Sequence, residues 1–185
     1  MNLINRLLIF SFLIFIASSC STPKRSITSR GYKKEVKRKR LPSRDLSEIQ
    51  LRDEVIIHAI QHVGRNYRYG GKKPSTGFDC SGLISYVYGK AGLNANGASH
   101  HQAEMGIWKS RTSLEPGDLI FFGKGKKVSH VAIVVKNERN RLEVIHSTSS
   151  RGVVLDEISD SKYWNARFLF GKDLISEEVK SYTSR

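Results

Sequence analysis

The order of apolar and polar residues predicts helices in the first part of the chain and strands in the second. Residues 48–63 carry apolar side chains at positions 49, 56, 60 and 63 with charges between them, as an amphipathic helix does. An apolar run at 83–88 predicts a second helix. Short β-rich segments separated by polar turns then predict five strands, at 118–122, 129–135, 142–147, 153–158 and 167–171. Helices followed by strands indicate an α+β fold with an antiparallel sheet of about five strands.

The N-terminal residues predict export from the cytoplasm. Residues 1–16 contain one Arg and an apolar core that is too short to span a bilayer, which is typical of a signal peptide. The sequence Ala17-Ser18-Ser19-Cys20 follows and resembles a lipobox, in which Cys20 would be acylated and become the new N-terminus. Ordinary signal cleavage near the same place is the alternative. If Gram-negative sorting applies, Ser21 indicates an outer-membrane lipoprotein on the periplasmic side.

A basic segment follows the predicted signal. Residues 21–47 hold ten Lys or Arg and two acidic residues, so they carry +8 of the formal net charge of +14. The basic run at 33–40 would suit nucleic acid in an intracellular protein. In an exported chain it predicts a solvated, flexible tether near anionic phospholipid or phosphate-rich envelope polymers. We therefore expect a membrane partner through the lipid anchor and no nucleic-acid partner.

The remaining residues, 48–185, are enough for one domain with its own core, and we expect a monomer. The chain has two cysteines, so an acylated Cys20 leaves Cys80 as a free thiol without a disulfide partner. His58 and His62 have the i, i+4 spacing of metal ligands. However, Ala59 stands where a zinc-dependent protease needs Glu, and no third ligand follows nearby. We predict no metal and no other cofactor.

The main chemical signal is the run Gly-Phe-Asp-Cys-Ser-Gly at 77–82. A Gly and an acidic residue before an apolar run predict a turn that opens into a helix, with Cys80 in its first turn. Backbone N–H groups and the helix dipole favour the thiolate there, so Cys80 is a candidate nucleophile with a lowered pKa. A small buried structural side chain is the alternative for a lone cysteine.

Two histidines could assist this thiol. His130 lies at the start of one predicted strand, and His146 lies at the end of the next, after a short polar connector. An antiparallel pair of this kind brings the two imidazoles together if both face the same side of the sheet. Cysteine catalysis needs such a set, because one imidazole takes the thiol proton and a further polar group fixes its tautomer.

Several motifs, taken in order over residues 55–171, resemble those of the NlpC/p60 cysteine peptidases of bacterial cell walls. The likeness extends in particular to small single-domain lipoproteins that act as murein endopeptidases. The motifs are Tyr67-Arg68-Tyr69-Gly70-Gly71, the run at 77–82, Gln102-Ala103-Glu104-Met105-Gly106, Pro116-Gly117-Asp118-Leu119-Ile120-Phe121-Phe122, Ser129-His130-Val131, Ile145-His146 and Tyr163-Trp164. The resemblance implies a papain-like core in which the nucleophile helix packs on the sheet that carries the histidines.

The resemblance also implies roles for individual residues. Cys80 would be the nucleophile, His130 the base and His146 the orienting third residue. Tyr67 would face the cysteine, where its phenol could donate a hydrogen bond to a developing oxyanion beside the backbone N–H groups of the helix start.

Residues on either side of the nucleophile have implied roles as well. Asp79 and Ser81 would help to hold the substrate peptide. The chain departs from the family pattern at 94–105, where Ala95-Asn96-Gly97 replaces a Leu-Pro-Arg type of segment. We expect this segment, with the nearby His100 and His101, to be a surface loop, and its change leaves the bond specificity open.

The sequence therefore predicts an envelope-anchored cysteine endopeptidase that hydrolyses amide bonds in peptidoglycan stems or cross-links. D-alanyl to diaminopimelate and D-glutamyl to diamino acid bonds both remain candidates. Two alternatives stay open: an amidase or acyltransferase that acts on a different substrate, and a non-catalytic wall-binding module. The joint presence of Cys80, His130 and His146 argues against the binding module.

Overall fold

The computed structural model describes residues 43–139 and 141–183. The predicted signal peptide, Cys20 and the tether up to residue 42 lie outside these described residues. Within them, no helix is both long enough and apolar enough to cross a membrane. The described residues belong to one compact unit, which extends over Arg40–Arg185.

The helices are more extensive than the sequence predicted. Helix α1 spans Ser43–Ile60, so it begins five residues earlier than expected. The others are α2 (Cys80–Lys90), α3 (Ser99–Gln102), α4 (Lys162–Asn165) and α5 (Ile175–Thr183). The sequence predicted no helix in the C-terminal part of the described residues. Helix α5 forms there because Ile175 and Val179 are buried against the domain.

All five predicted strands are present in one antiparallel sheet of six. In chain order its members are β3 (Ile107–Lys109), β4 (Leu119–Lys124), β5 (Lys127–Glu138), β6 (Arg141–Thr148), β7 (Gly152–Glu157) and β8 (Phe168–Asp173). Their spatial order is β3-β8-β4-β5-β6-β7. The unpredicted strand, β3, has three residues and lies at the edge. A separate two-stranded pair, β1 (Lys72–Lys73) and β2 (Gly77–Phe78), precedes the nucleophile helix.

Both faces of the sheet are covered. Helices α1 and α2 pack on one face, where Val87 and Leu83 of α2 meet Ile133 and Ile145 of the central strands. A smaller apolar cluster lies on the other face, with Trp164 of α4 at its margin. Alternating side chains of the central strands supply both layers, as expected for a sheet that is buried on two sides.

Arg52 is a nearly buried cation that holds α1 to the rest of the domain. Its guanidinium donates to the buried carboxylates of Asp118 at 2.9 Å and Asp173 at 2.8 Å. Burial alone would lower the pKa of Arg52, but the hydrogen bond to Asp118 and both carboxylate charges raise it above its ordinary value. Glu115, Asp118 and Asp173 have oxygens close enough to share an ion, but Arg52 and Lys109 already pair with them.

Candidate active site

The first turn of α2 presents Cys80. Asp79 is the N-cap residue, and its Oδ1 accepts a hydrogen bond from the N–H of Gly82 at 2.6 Å and one from the Ser81 hydroxyl at 3.1 Å. Its Oδ2 accepts from the N–H of Gly70 at 2.9 Å. A carboxylate at this position satisfies N–H groups that the helix cannot pair, and it ties the preceding loop to the helix start.

Close backbone packing explains the glycine after Ser81. A Cβ atom on Gly82 would lie 1.9 Å from the carbonyl oxygen of Gly71, which is shorter than any real contact. The loop at Gly71 therefore packs directly against the helix start, and the N–H of Asp79 donates to Gly71 O at 3.0 Å. Only a residue without a side chain allows this approach.

The Cys80 thiol is more protonated than its position at a helix start predicted. Burial raises the pKa of Cys80, and the neighbouring charge of Asp79 adds to the rise. Backbone N–H groups of Val131, Ser81 and Cys80 itself act in the opposite direction without reversing it. The prediction of a lowered pKa is therefore wrong for the resting protein, because desolvation exceeds the effect of the helix terminus.

The two predicted histidines lie together. Strand β5 pairs with β6 in a register that places Ile133 opposite Ile145, so His130 and His146 share one face of the sheet. Nε2 of His130 is 3.0 Å from Nδ1 of His146. On the other side of the second ring, Nε2 of His146 is 3.0 Å from Oδ2 of Asp156 on β7. Three side chains from successive strands thus form one hydrogen-bonded row.

The order of donors and acceptors fixes the tautomers in this row. An ionised Asp156 can only accept, so Nε2 of His146 carries its proton and Nδ1 of His146 accepts. Nε2 of His130 must then be the donor, which leaves Nδ1 of His130 unprotonated. The row therefore prepares His130 to accept a proton at Nδ1.

Charges around the row keep its members in these states. The hydrogen bond from Arg151 lowers the pKa of Asp156, and the contact with His146 lowers it further. Burial lowers the pKa of His130 to about 3, with a further contribution from His146. Burial also lowers the pKa of His146, although Asp156 partly opposes this. At neutral pH the row consists of two neutral imidazoles and one carboxylate.

Aromatic side chains hold the first imidazole in place. The indole of Trp164 stacks on the ring of His130, with centroids 5.0 Å apart and planes 25° apart. Phe122 supports the indole from the sheet, with a ring separation of 4.8 Å. These contacts exclude water from His130 and account for much of its desolvation.

Cys80 and His130 line the same cavity, which has a volume of about 550 Å³. Tyr67 lines it as well, and burial together with the charges of Cys80 and Asp79 raises the pKa of its phenol, so the phenol keeps its proton. The turn at 147–150 adds a rim of hydroxyl groups. The cavity can therefore hold an amide carbonyl near a thiol, a basic nitrogen and a phenolic donor.

The remaining predicted residues lie elsewhere. Asp79 and Ser81 do not line this cavity, and their recorded contacts cap α2; their role in substrate binding stays a prediction. His62 packs against the rings of Phe78 and Tyr86. The predicted loop at 94–105 contains the short helix α3, on which His100 and His101 are exposed as expected.

One buried amide joins that segment to the nucleophile helix. Gln102 is fully buried, and its Nε2 donates to Ser81 O at 3.0 Å, Ser85 Oγ at 3.2 Å and Ala95 O at 2.8 Å. Ser85 Oγ also donates to Ala95 O at 2.9 Å. The segment at 94–105 is therefore fastened to α2 within two turns of Cys80.

Sequence reasoning missed Asp156 and its partner Arg151. A signal was available, because the predicted strand at 153–158 follows the one that ends in His146. Antiparallel pairing of the two places Val154 opposite His146, and Asp156 is two residues further along on the same face. Without knowledge of the register, however, the sequence could not distinguish Asp156 from an ordinary solvent-facing carboxylate.

A helix-start cysteine and a histidine pair, which line one cavity beside an antiparallel sheet, define a papain-like α+β protein. Residues 64–172 match the sequence model of the NlpC/P60 family, and the chain belongs to that family. The sheet and helix α2 agree with the architecture that this membership implies.

Similar proteins carry related names. The chain is 30% identical over 138 residues to the gamma-DL-glutamyl hydrolase of Bacillus subtilis (strain 168). That alignment covers 72% of this chain and 32% of the hydrolase. It is 34% identical over 135 residues to the murein DD-endopeptidase MepH of Escherichia coli (strain K12), with coverages of 65% and 49%. This chain thus spans less than half the length of either relative.

Solved structures of NlpC/p60 domains have a fold similar to that of this chain. The crystal structure of the NlpC/p60 domain of the peptidoglycan hydrolase SagA has 30% identity and a TM-score of 0.56. The likeness covers 66% of this chain and 97% of that one. About two thirds of this chain therefore corresponds to nearly the whole of that solved domain.

Proposed function

We propose that this protein is a cysteine endopeptidase that hydrolyses amide bonds in the peptide part of peptidoglycan. The observation that carries the proposal is the row His130–His146–Asp156, which leaves Nδ1 of His130 unprotonated in a residue that lines the same cavity as Cys80. The names of the similar proteins support the substrate class, since they refer to murein, to peptidoglycan and to a glutamyl bond.

In the proposed reaction the Cys80 sulfur attacks the amide carbonyl carbon while its proton moves to Nδ1 of His130. The carbonyl oxygen becomes an oxyanion, which backbone N–H groups at the start of α2 and the Tyr67 phenol stabilise. His130 returns the proton to the departing amine as the C–N bond breaks, leaving a thioester. Water then attacks the thioester, gives a proton to His130 and releases the acid, and His130 restores the thiol.

The pKa shifts favour a mechanism in which the Cys80 proton moves to His130 during attack, rather than one that starts from a thiolate–imidazolium ion pair. The pKa of Cys80 is raised and that of His130 is lowered to about 3, so thiol and imidazole are both neutral at rest. Charge separation becomes favourable when the carbonyl develops negative charge and the Asp156 carboxylate stabilises the imidazolium through His146.

The test uses purified peptidoglycan and defined muropeptides, with products identified by mass spectrometry beside the Cys80→Ser variant. Conversion of cross-linked dimers to monomers that requires Cys80 identifies a cross-link endopeptidase. Shortened stems identify the D-glutamyl bond instead. If wild type and variant leave every bond intact, the catalytic proposal is wrong, and binding without cleavage would favour a wall-binding module.

We propose in addition that Cys20 is acylated and that residues 21–47 tether the domain to the membrane, in the outer membrane if the cell is Gram-negative. The apolar run before Cys20 and the basic composition after it support this arrangement. Mass spectrometry of the mature N-terminus should find diacylglycerol on Cys20, and the Cys20→Ser variant should be released from the membrane fraction. Recovery of an unmodified N-terminus would show ordinary cleavage instead.

A further inference from the structure

The cavity at Cys80 adjoins a second one. Ser129 and Arg167 line both, so the two spaces lie side by side near His130, and together they are called the groove. The second cavity has a volume of about 510 Å³ and is lined otherwise by Gly123, Lys124, Lys127 and Ala166. A peptide that places a bond at the thiol can therefore extend along this groove on one side of that bond.

The turn between β4 and β5 forms the wall of the second cavity. Lys124 pairs with Lys127 across this turn, and the N–H of Gly123 donates to Arg167 O at 2.8 Å. A Cβ atom on Gly123 would lie 1.9 Å from Lys127 O, so the turn can approach this closely only because residue 123 lacks a side chain. The hydrogen bond fixes the backbone at Arg167 beside the two lysines.

Cations dominate this groove. Lys124, Lys127 and Arg167 line the second cavity, and no acidic residue lines either part. Within the described residues these three cations form no salt bridge with a carboxylate, whereas the other arginine of the groove, Arg151, is paired with Asp156. The guanidinium of Arg167 is held over the ring of Tyr163, 3.7 Å from its centroid.

We propose that this basic groove binds free carboxylates of the substrate peptide, so that the protein prefers acidic peptides to their amidated counterparts. The inference rests on the proposed peptidase function, since it assigns the groove to the substrate of that site. Ammonium and guanidinium groups bind carboxylates by charge-assisted hydrogen bonds. A ligand that occupies both the cavity at the thiol and the basic cavity beside it is better matched by a peptide than by a separate polyanion.

The test compares two synthetic muropeptides that differ only in a free carboxylate or a carboxamide next to the cleaved bond. The full-length protein is assayed as wild type and as the Lys124→Gln/Lys127→Gln double variant. For the free acid, we expect KM to rise about tenfold in the double variant, with kcat changed less than about twofold, as partly exposed charge pairs predict. For the amide, both proteins should have the same KM.

Lys126→Gln is the matched control. Lys126 lies on the same turn but does not line the second cavity; it lines a neighbouring depression that contains Glu104 and also touches Lys127. An equal loss in Lys126→Gln would mean that only the general surface charge matters, which overturns the proposal. Equal KM values for the two peptides in the wild type would overturn it as well.

Two further outcomes separate the possible failures. If inorganic phosphate competes at concentrations far below those of the acidic peptide, the groove is a phosphate site and the carboxylate assignment is wrong. If the wild type cleaves neither peptide, with no difference from Cys80→Ser, the proposed peptidase function itself fails. If the wild type cleaves both peptides equally well, the peptidase function stands and only the assignment of the groove to carboxylate binding is rejected.

Discussion

Replacing Asp156 by Ala should slow the chemical step without weakening substrate binding. The carboxylate does not line the cavity, but it accepts the Nε2–H of His146 at 3.0 Å. His146 has a fully buried side chain, so water does not readily replace the lost acceptor. Without Asp156 the imidazole can adopt the other tautomer, whose Nδ1–H would donate a hydrogen bond to Nε2 of His130, so that His130 would carry its own proton on Nδ1.

The size of the effect follows from this buried group. Leaving a buried donor unpaired, or losing a hydrogen bond to a charged group, costs about 1–3 kcal/mol. Since about 1.4 kcal/mol corresponds to a factor of ten in rate, kcat should fall by about fivefold to 150-fold. KM should change by less than about twofold, because Asp156 acts through His146 and does not touch the substrate.

Steady-state assays on a muropeptide, with Glu157→Ala as the matched control, check this expectation. Glu157 is the next residue of the strand and is exposed. The kcat of Asp156→Asn should lie between those of Asp156→Ala and the wild type, because the amide oxygen can still accept a hydrogen bond from His146 but carries no charge. A KM effect without a kcat effect in Asp156→Ala, or an equal loss in Glu157→Ala, would refute the positioning role.

The pH dependence provides a second readout. The bond from Arg151 lowers the pKa of Asp156, so the carboxylate stays charged above about pH 4, the ordinary value for the residue. Its contribution to stability and to kcat is therefore complete above that pH and is lost as the pH falls through the lowered pKa. Arg151→Ala should move this acid limb to higher pH. An unchanged acid limb in that variant would show that Asp156 does not control it.

Three other outcomes are expected. Arg52→Ala should lower the free energy of unfolding in urea by about 3–5 kcal/mol because it leaves the buried carboxylate of Asp118 without a cation, whereas Lys136→Ala, which breaks only an exposed ion pair with Glu138, should cost less than about 1 kcal/mol. Since the pKa of Cys80 is raised, iodoacetamide should alkylate it at pH 7 more slowly than free cysteine; faster alkylation would indicate a preformed thiolate. Gly82→Ala should lose activity and about 1–3 kcal/mol of stability, measured by urea unfolding, because its Cβ meets Gly71 O.

The sequence predicted the elements of this fold better than their electrostatics. Five strands and the start of α2 at Cys80 were predicted, because alternation and capping residues are local signals. The edge strand Ile107–Lys109 was missed, since three residues carry no periodicity. The wrong direction for the Cys80 pKa has a different cause, because burial depends on the helix, sheet and loop that surround the thiol.

In the candidate site, too, the residues that local sequence signals could identify were predicted, and those that depend on the whole fold were not. His130 and His146 could be proposed as a pair from the hairpin that joins their strands, and their nitrogens are 3.0 Å apart. Asp156 required the register between two strands, which is set by the whole sheet. The closeness of the cavity at Cys80 to the basic turn was equally hidden, since Arg167, which lines both cavities, is 40 or more residues away from Lys124 and Lys127 in the sequence.

The three hydrogen bonds of Gln102 constrain how this protein could acquire a new specificity. They connect the segment that departs from its relatives to the helix that carries Cys80. Evolution could not replace that segment independently of α2, because the backbone carbonyl of Ala95 must still accept a hydrogen bond from the buried Gln102 amide, which also donates to Ser81 O. A grafted segment that loses this anchor should disturb the start of α2 and slow the reaction, so changes of specificity here would arise by small steps that keep Gln102 in place.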